Sequence, residues 1–183
     1  MRHARYDLAA ALPALIATGR YGTLVEHLER AIWTGSAHED LSAARDALRL
    51  LRRLTKEVGF DEQFEERERP TMAGALFSHA IILYARATHT RPVHGERNAW
   101  FGEGPLKGEH RRVHREVIGL RDKVVAHFGR GEHLAEGPIV KETVVLRPAE
   151  RGVFLTFCSC RAQNRGALAA SFLELTEKVL ALA

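Results

Sequence analysis

Two side chains late in one apolar segment, Arg121 and His127, are of types that can move a proton and hold a negative charge. An imidazole can take or give a proton near neutrality. An arginine fork can hold the charge that develops on phosphate oxygens. Both stand in Leu120-Arg121-Asp122-Lys123-Val124-Val125-Ala126-His127, followed by Phe128 and Gly129. At about 100° per residue, Val113, Val117, Leu120, Val124 and His127 fall on one helical stripe. His114, Ile118, Arg121 and Val125 fall on the neighbouring one. A helix apolar on more than one side belongs inside a bundle, where a buried guanidinium or imidazole is costly unless something pairs with it. Arg121 and His127 are six positions apart, so their Cα atoms differ by about 9 Å in height and about 120° around the axis. They do not share a face, yet a long arginine side chain can reach back over the intervening turn.

Arg121, five intervening residues and then His127 resemble the signature of HEPN domains, an arginine followed by a histidine late in a bundle helix. The longer string Leu-Arg-Asp-Lys-x-x-Ala-His is similar to a bacterial HEPN-like branch that includes abortive-infection-type proteins. Upstream, Ile82-Leu83-Tyr84-Ala85-Arg86 resembles the helix with Tyr-x-Arg that precedes the motif helix in that branch. The resemblance covers residues 70 to 130. It implies a metal-independent endoribonuclease of toxin or phage-defence type, in which a 2′-hydroxyl attacks the adjacent phosphate and leaves a cyclic phosphate. Arg121 and His127 would then be catalytic, and Asp122, matching the polar residue after the arginine, would orient a catalytic group. Tyr84, Arg86, Lys123 and His114 are the nucleic-acid contacts expected around them. No cofactor and no metal is expected. The resemblance also implies a homodimer that brings two motif helices into one cleft, and twofold dimers are the commonest oligomers in any case. RNA or a nucleotide is the expected ligand, and an antitoxin the expected protein partner. The alternative, from a different class, is a non-catalytic HEPN-like module that binds nucleotide, RNA or protein, with Arg121 and Asp122 as a structural ion pair.

Several of these residues have a second reading. Asp122 can bridge Arg86 or Arg121 and so hold a buried cation in place. Two arginines close together repel unless a carboxylate or anion lies between them, so Asp122, or a phosphate or sulfate, is expected between Arg86 and Arg121. Lys123 can contact phosphate or simply be solvated. His110 and His114, four apart with Glu109 and Glu116 nearby, suggest a metal site completed by His79 or His94. The glutamate of an H-E-x-x-H motif is missing, however, with Arg111 in its place. His79 reads instead as a packed, hydrogen-bonded histidine.

These residues need a scaffold, and the composition allows one. A chain of 183 residues reads as one domain that buries about 70% of its unfolded surface. Its 45% hydrophobic and 27% charged residues are ordinary for a globular protein. No apolar run approaches the roughly 20 residues of a membrane span, and no signal-peptide core follows Met1, so a cytoplasmic protein without membrane contact is expected. A net charge of +4 and a pI near 9.4 fit a polyanionic partner without requiring one. Cys158 and Cys160 are too close to bond to each other and lack zinc spacing, so they read as reduced packing residues.

The fold expected is mainly α, a HEPN-like bundle of five to six helices with a small C-terminal antiparallel β-hairpin. N-terminal helices fill residues 1 to 60, with apolar patterns stopped at Gly19, Gly35 and Gly59. Pro13 should shorten or kink the first of them. In the second, Leu24, Leu28, Ala31 and Ile32 share one side, and Ser36 with Glu39 offers a capping box for a third. The motif-bearing core runs from 70 to 130. Pro70 opens a helix that reaches about Thr88 with Met72, Leu76, His79, Leu83 and Arg86 on one stripe and Phe77, Ile81, Tyr84 and Thr88 on the next. A long connection over 89 to 108 carries Arg91, His94, Arg97, Asn98, Trp100 and Phe101, material that can stack a base or cover the bundle. The motif helix spans about Glu109 to Phe128. A hairpin packed on the helices follows at 138 to 160, turning at Pro148 to Gly152. A last helix over 165 to 183, capped by Asn164, carries Leu168, Phe172, Leu175 and Val179 on one side.

Overall fold

The computed structural model describes residues 7–56, 68–89, 102–122, 140–149, 152–161 and 166–182. Its described part is mainly helical. In chain order come α1 (Leu8–Thr18), α2 (Gly22–Lys56), α3 (Glu68–Thr88), α4 (Gly108–Leu120), β1 (Val140–Ala149), β2 (Gly152–Arg161) and α5 (Gly166–Leu180). None of these helices is long and apolar enough to cross a membrane.

α1 begins where the Asp7 carboxylate accepts the Ala10 N–H at 3.0 Å. It ends at Gly19, whose φ of 63° lies in the left-handed region and whose N–H returns to the Ile16 carbonyl. Pro13 stays inside this single helix, where it forgoes one backbone bond. Gly19 is thus the helix stop that its position suggests.

Gly35 is not. α2 runs unbroken for 35 residues through it, so the second and third helices expected from the sequence are one, and Ser36 and Glu39 form no helix start. A glycine costs only about 1 kcal/mol within a helix. The apolar face that begins directly afterwards outweighs that cost. Ala37, Leu41, Ala44, Leu48 and Leu51 are all buried in the core. Gly59 lies outside the described residues.

The core is made by α2 packing against α3 and α5, with α4 against α3 and α5. α3 starts at Glu68, two residues before Pro70, still within the first turn, whose N–H groups have no partner inside the helix. Its buried side is Ala73, Phe77, Ala80, Ile81, Tyr84, Ala87 and Thr88. Of the other stripe read from the sequence, Leu83 is buried, whereas Met72, His79 and Arg86 are exposed. His79 is therefore not the packed histidine expected. The small residues Ala73, Ala80 and Ala87 take the buried side, and this rotates His79 outward. Val113, Val117 and Leu120 of α4 are enclosed, and so are Phe172, Leu175 and Val179 of α5, with Leu168 nearly so. Phe172 meets both Phe77 and Tyr84 edge-on, with ring centroids 6.4 Å and 5.1 Å away. Buried Thr88 and Thr176 each donate to the carbonyl four residues back, at 2.8 Å in both cases. Their hydroxyls are satisfied without an outside partner.

The backbones of β1 and β2 pair antiparallel, from Val140 opposite Arg161 to Ala149 opposite Gly152. Pro148 and Ala149 belong to β1, so the connection is shorter than the turn over Pro148 to Gly152 read from the sequence. The expected packing of this segment on the helices, including Cys158 and Cys160, falls on side chains outside the described residues.

Candidate functional site

The polar groups of the motif region are set on three helices. Tyr84 lies on the buried side of α3 and His114 on that of α4. The Tyr84 hydroxyl meets His114 Nδ1 at 2.8 Å, and the two rings cross edge-on with centroids 5.7 Å apart. Burial pushes the Tyr84 phenol well above its usual range. Burial also holds the His114 imidazole below its ordinary value of 6.5; the charge of Glu103 opposes this, and His89 and Arg115 add to it. Both groups are neutral near pH 7. A single proton is therefore shared between the phenol oxygen and Nδ1, with the ring's tautomer deciding which of the two donates. Read as nucleic-acid contacts from the sequence, Tyr84 and His114 are instead enclosed, each facing the other. The reason is their position: both lie on stripes whose other members are apolar.

Arg86, two residues beyond Tyr84, points out of the bundle. Its Nε and Nη2 donate to Asp40 Oδ2 and Oδ1 at 3.0 Å and 2.5 Å. The Arg86 side chain is 50% exposed and that of Asp40 only 7%. This corrects the expected pairing of Arg86 with Asp122. α2 continues unbroken past Gly35 beside the end of α3 and so presents Asp40 at that level. Asp40 had a signal in the sequence. It interrupts the apolar spacing of Ala37, Leu41 and Ala44, as His114 interrupts that of α4, and a carboxylate on a core stripe requires a cation.

On the outer side of α4 two arginines are paired with carboxylates. Arg112 binds Glu109 and Glu116. Arg115 grips both oxygens of Glu103 at 2.9 Å, and this holds the Glu103 carboxyl down to about 2. Glu109 and Glu116 face Arg112, His114 Nδ1 faces Tyr84, and no group of His, Cys, Asp and Glu among the described residues is placed to hold a metal ion. Glu103 and His89 are the residues near His114 that the sequence reading passed over. Both flank the irregular connection, where no periodicity marks them.

Past Leu120 the helix changes form. The Arg121 N–H is shared between the Val117 and Ile118 carbonyls, and Arg121 and Asp122 lie in a π-helical turn. Such turns are rare and recur at functional sites. Arg121 Nη1 donates to Asp122 Oδ1 at 2.7 Å, and the two side chains are 40% and 46% exposed. The guanidinium read as buried from the helical period is thus at the surface. Arg121 follows His114 and Ile118 on the same stripe but is only part-buried, whereas those two are buried. Lys123 and His127 lie outside the described residues, as do Arg91, His94, Arg97, Asn98, Trp100 and Phe101. Arg121 and Asp122 are together; Tyr84 and His114 are together; Arg86 belongs to Asp40. No protein-family model, no curated protein and no solved structure matches the chain.

Proposed function

We propose that the chain is a HEPN-like protein, a bundle with a C-terminal hairpin, and that it acts as a metal-independent endoribonuclease of toxin or phage-defence type. Arg121 stabilises charge on the phosphate and His127 moves the proton between the 2′-hydroxyl and the leaving oxygen. Asp122 orients the Arg121 fork. Arg86 and Lys123 contact flanking phosphates, and Tyr84 with His114 hold α3 against α4 beneath the site. Two motif helices across a twofold axis form one cleft, and an antitoxin restrains the toxin.

The observation that carries this reading is the setting of Arg121. A cation meant only to staple a core would be sealed within it, whereas this guanidinium is 40% exposed, oriented by one carboxylate, in a π-helical turn. The same 2.7 Å contact favours the second reading, a binding module in which Arg121 and Asp122 serve only each other. Incubating the purified chain with total RNA, with and without chelator, separates the two. The nuclease reading expects chelator-resistant cleavage that leaves cyclic phosphate ends. It expects His127→Ala to lower the rate by about 10² to 10⁴ with little change in melting temperature. Arg121→Lys should lose nearly as much activity as Arg121→Ala, because charge remains but the fork is gone. Retained RNA binding without cleavage would favour the module. Cleavage abolished by chelator, or equal activity of His127→Ala and wild type, would end the proposal.

A further inference from the structure

A groove of about 810 Å³ lies between α2 and α5. Small-molecule sites fall within roughly 300–1,000 Å³. Leu48, Leu51 and Leu173, all part of the core, make its floor. Arg49 of α2 and Glu177 of α5 stand in its lining and neutralise each other, with Nη2 and Nε donating to one carboxylate oxygen at 2.7 Å and 3.1 Å. Three further charges line the groove: Arg52 and Arg53 on the α2 wall and Glu174 on the α5 wall. All three are exposed, and none of them makes an ion pair among the described residues. Unpaired charges are ordinary on a solvated helix face. Here they stand on two walls of one concave site with an apolar floor between them.

We infer that the groove binds a nucleoside monophosphate, with the base on the leucine floor, the phosphate on Arg52 and Arg53, and a ribose hydroxyl donating to Glu174. Charge selects the head group. A phosphate monoester carries about −1.5 to −2 near neutrality. Two neighbouring guanidinium groups match that charge and offer the forked donors that suit phosphate oxygens. Glu174 selects the rest of the ligand. An ionised carboxylate only accepts hydrogen bonds, so an unpaired one in the same lining calls for hydroxyl or amino donors. An acyl chain with an anionic head would match the floor and the arginines but bring no donor for Glu174. A bare phosphate would leave the floor uncovered. A nucleoside monophosphate has all three parts. The inference does not rest on the nuclease reading, because none of the residues proposed for cleavage lines the groove.

Isothermal titration calorimetry of the full chain with AMP, GMP, CMP and UMP tests it, against the matching nucleosides, inorganic phosphate and octanoate. At least one of the nucleotides should bind one-to-one, with its nucleoside and inorganic phosphate weaker by about tenfold or more. Arg52→Gln/Arg53→Gln should weaken that nucleotide by about tenfold or more at an unchanged melting temperature, since both side chains are exposed. Ala170→Trp, at an exposed position of the lining, fills the groove without altering a charge and should weaken binding as well. If the tryptophan lowers the melting temperature, Ala170→Leu takes its place with the same expectation. Arg121→Ala should leave the affinity unchanged. Loss of binding in that variant would place the nucleotide at the motif and overturn the inference. So would the absence of saturable binding by all four nucleotides, equal affinity for nucleotide and nucleoside, tighter binding of octanoate, or binding that survives the arginine substitutions.

Discussion

His114 shows how one residue can report on the site from beneath it. Its ring is buried against Tyr84, and burial holds its titration below 6.5. In the unfolded chain it returns to the ordinary value. Above 6.5 neither state is protonated, so the full contribution to stability is present. As pH falls below 6.5, the unfolded chain takes up the proton first, and stability drops until the folded value is passed. Urea midpoints measured from about pH 7 to pH 5 should therefore fall more steeply for the wild type than for His114→Phe. Equal slopes would mean that the ring titrates normally and is not enclosed. The sequence showed that His114 lies on an apolar stripe. It did not show which side chain would face it, because Tyr84 sits 30 residues away on another helix.

Among the elements, α2 separates what spacing can tell from what it cannot. Gly19 and Gly35 look alike in sequence, each just after an apolar pattern. Gly19 adopts the left-handed conformation that ends a helix, whereas Gly35 sits in the middle of one. The difference lies downstream. Arg20 and Tyr21 begin no apolar stripe, while Ala37 and Leu41 continue one into the core. Local stop signals lose to burial when the following turn has a core to join. Space is open where a Gly35 side chain would project, with nothing within 4 Å of it. Gly35→Ala should then stabilise the protein by about 0.5–1 kcal/mol, raising the melting temperature by a few degrees. A loss of stability would show that the helix needs to bend there. The same unbroken rod explains the one pairing misread from sequence, since only a continuous α2 sets Asp40 beside Arg86.

At the scale of the whole molecule, the helical class and most of the core were legible from periodicity. Leu168, Phe172, Leu175 and Val179 form the stripe that is buried, because a long amphipathic helix has few other ways to sit. The face of Leu24, Ala31 and Ile32 was equally periodic but stays outside the core. Periodicity identifies an apolar face without identifying what covers it. The site was legible in residue type and not in arrangement. Arg121 and Asp122 stand together, but helical period placed the arginine in the core, whereas both side chains are part-buried and paired with each other.

The bond between Arg49 on α2 and Glu177 on α5 spans 128 positions of sequence. Docking α5 onto α2 therefore joins segments far apart in sequence, which costs more loop entropy than joining α2 to α3. Among the helices that build the core, α5 is consequently expected to open before α2 and α3. Native-state hydrogen exchange should show its amides opening together, with a smaller free energy than those of α2 and α3. Exchange of α5 only through global unfolding would contradict this. Such an opening uncovers the edges of Phe77 and Tyr84 against which Phe172 rests. The population of such a partly open state would be set by how tightly Phe172 fits.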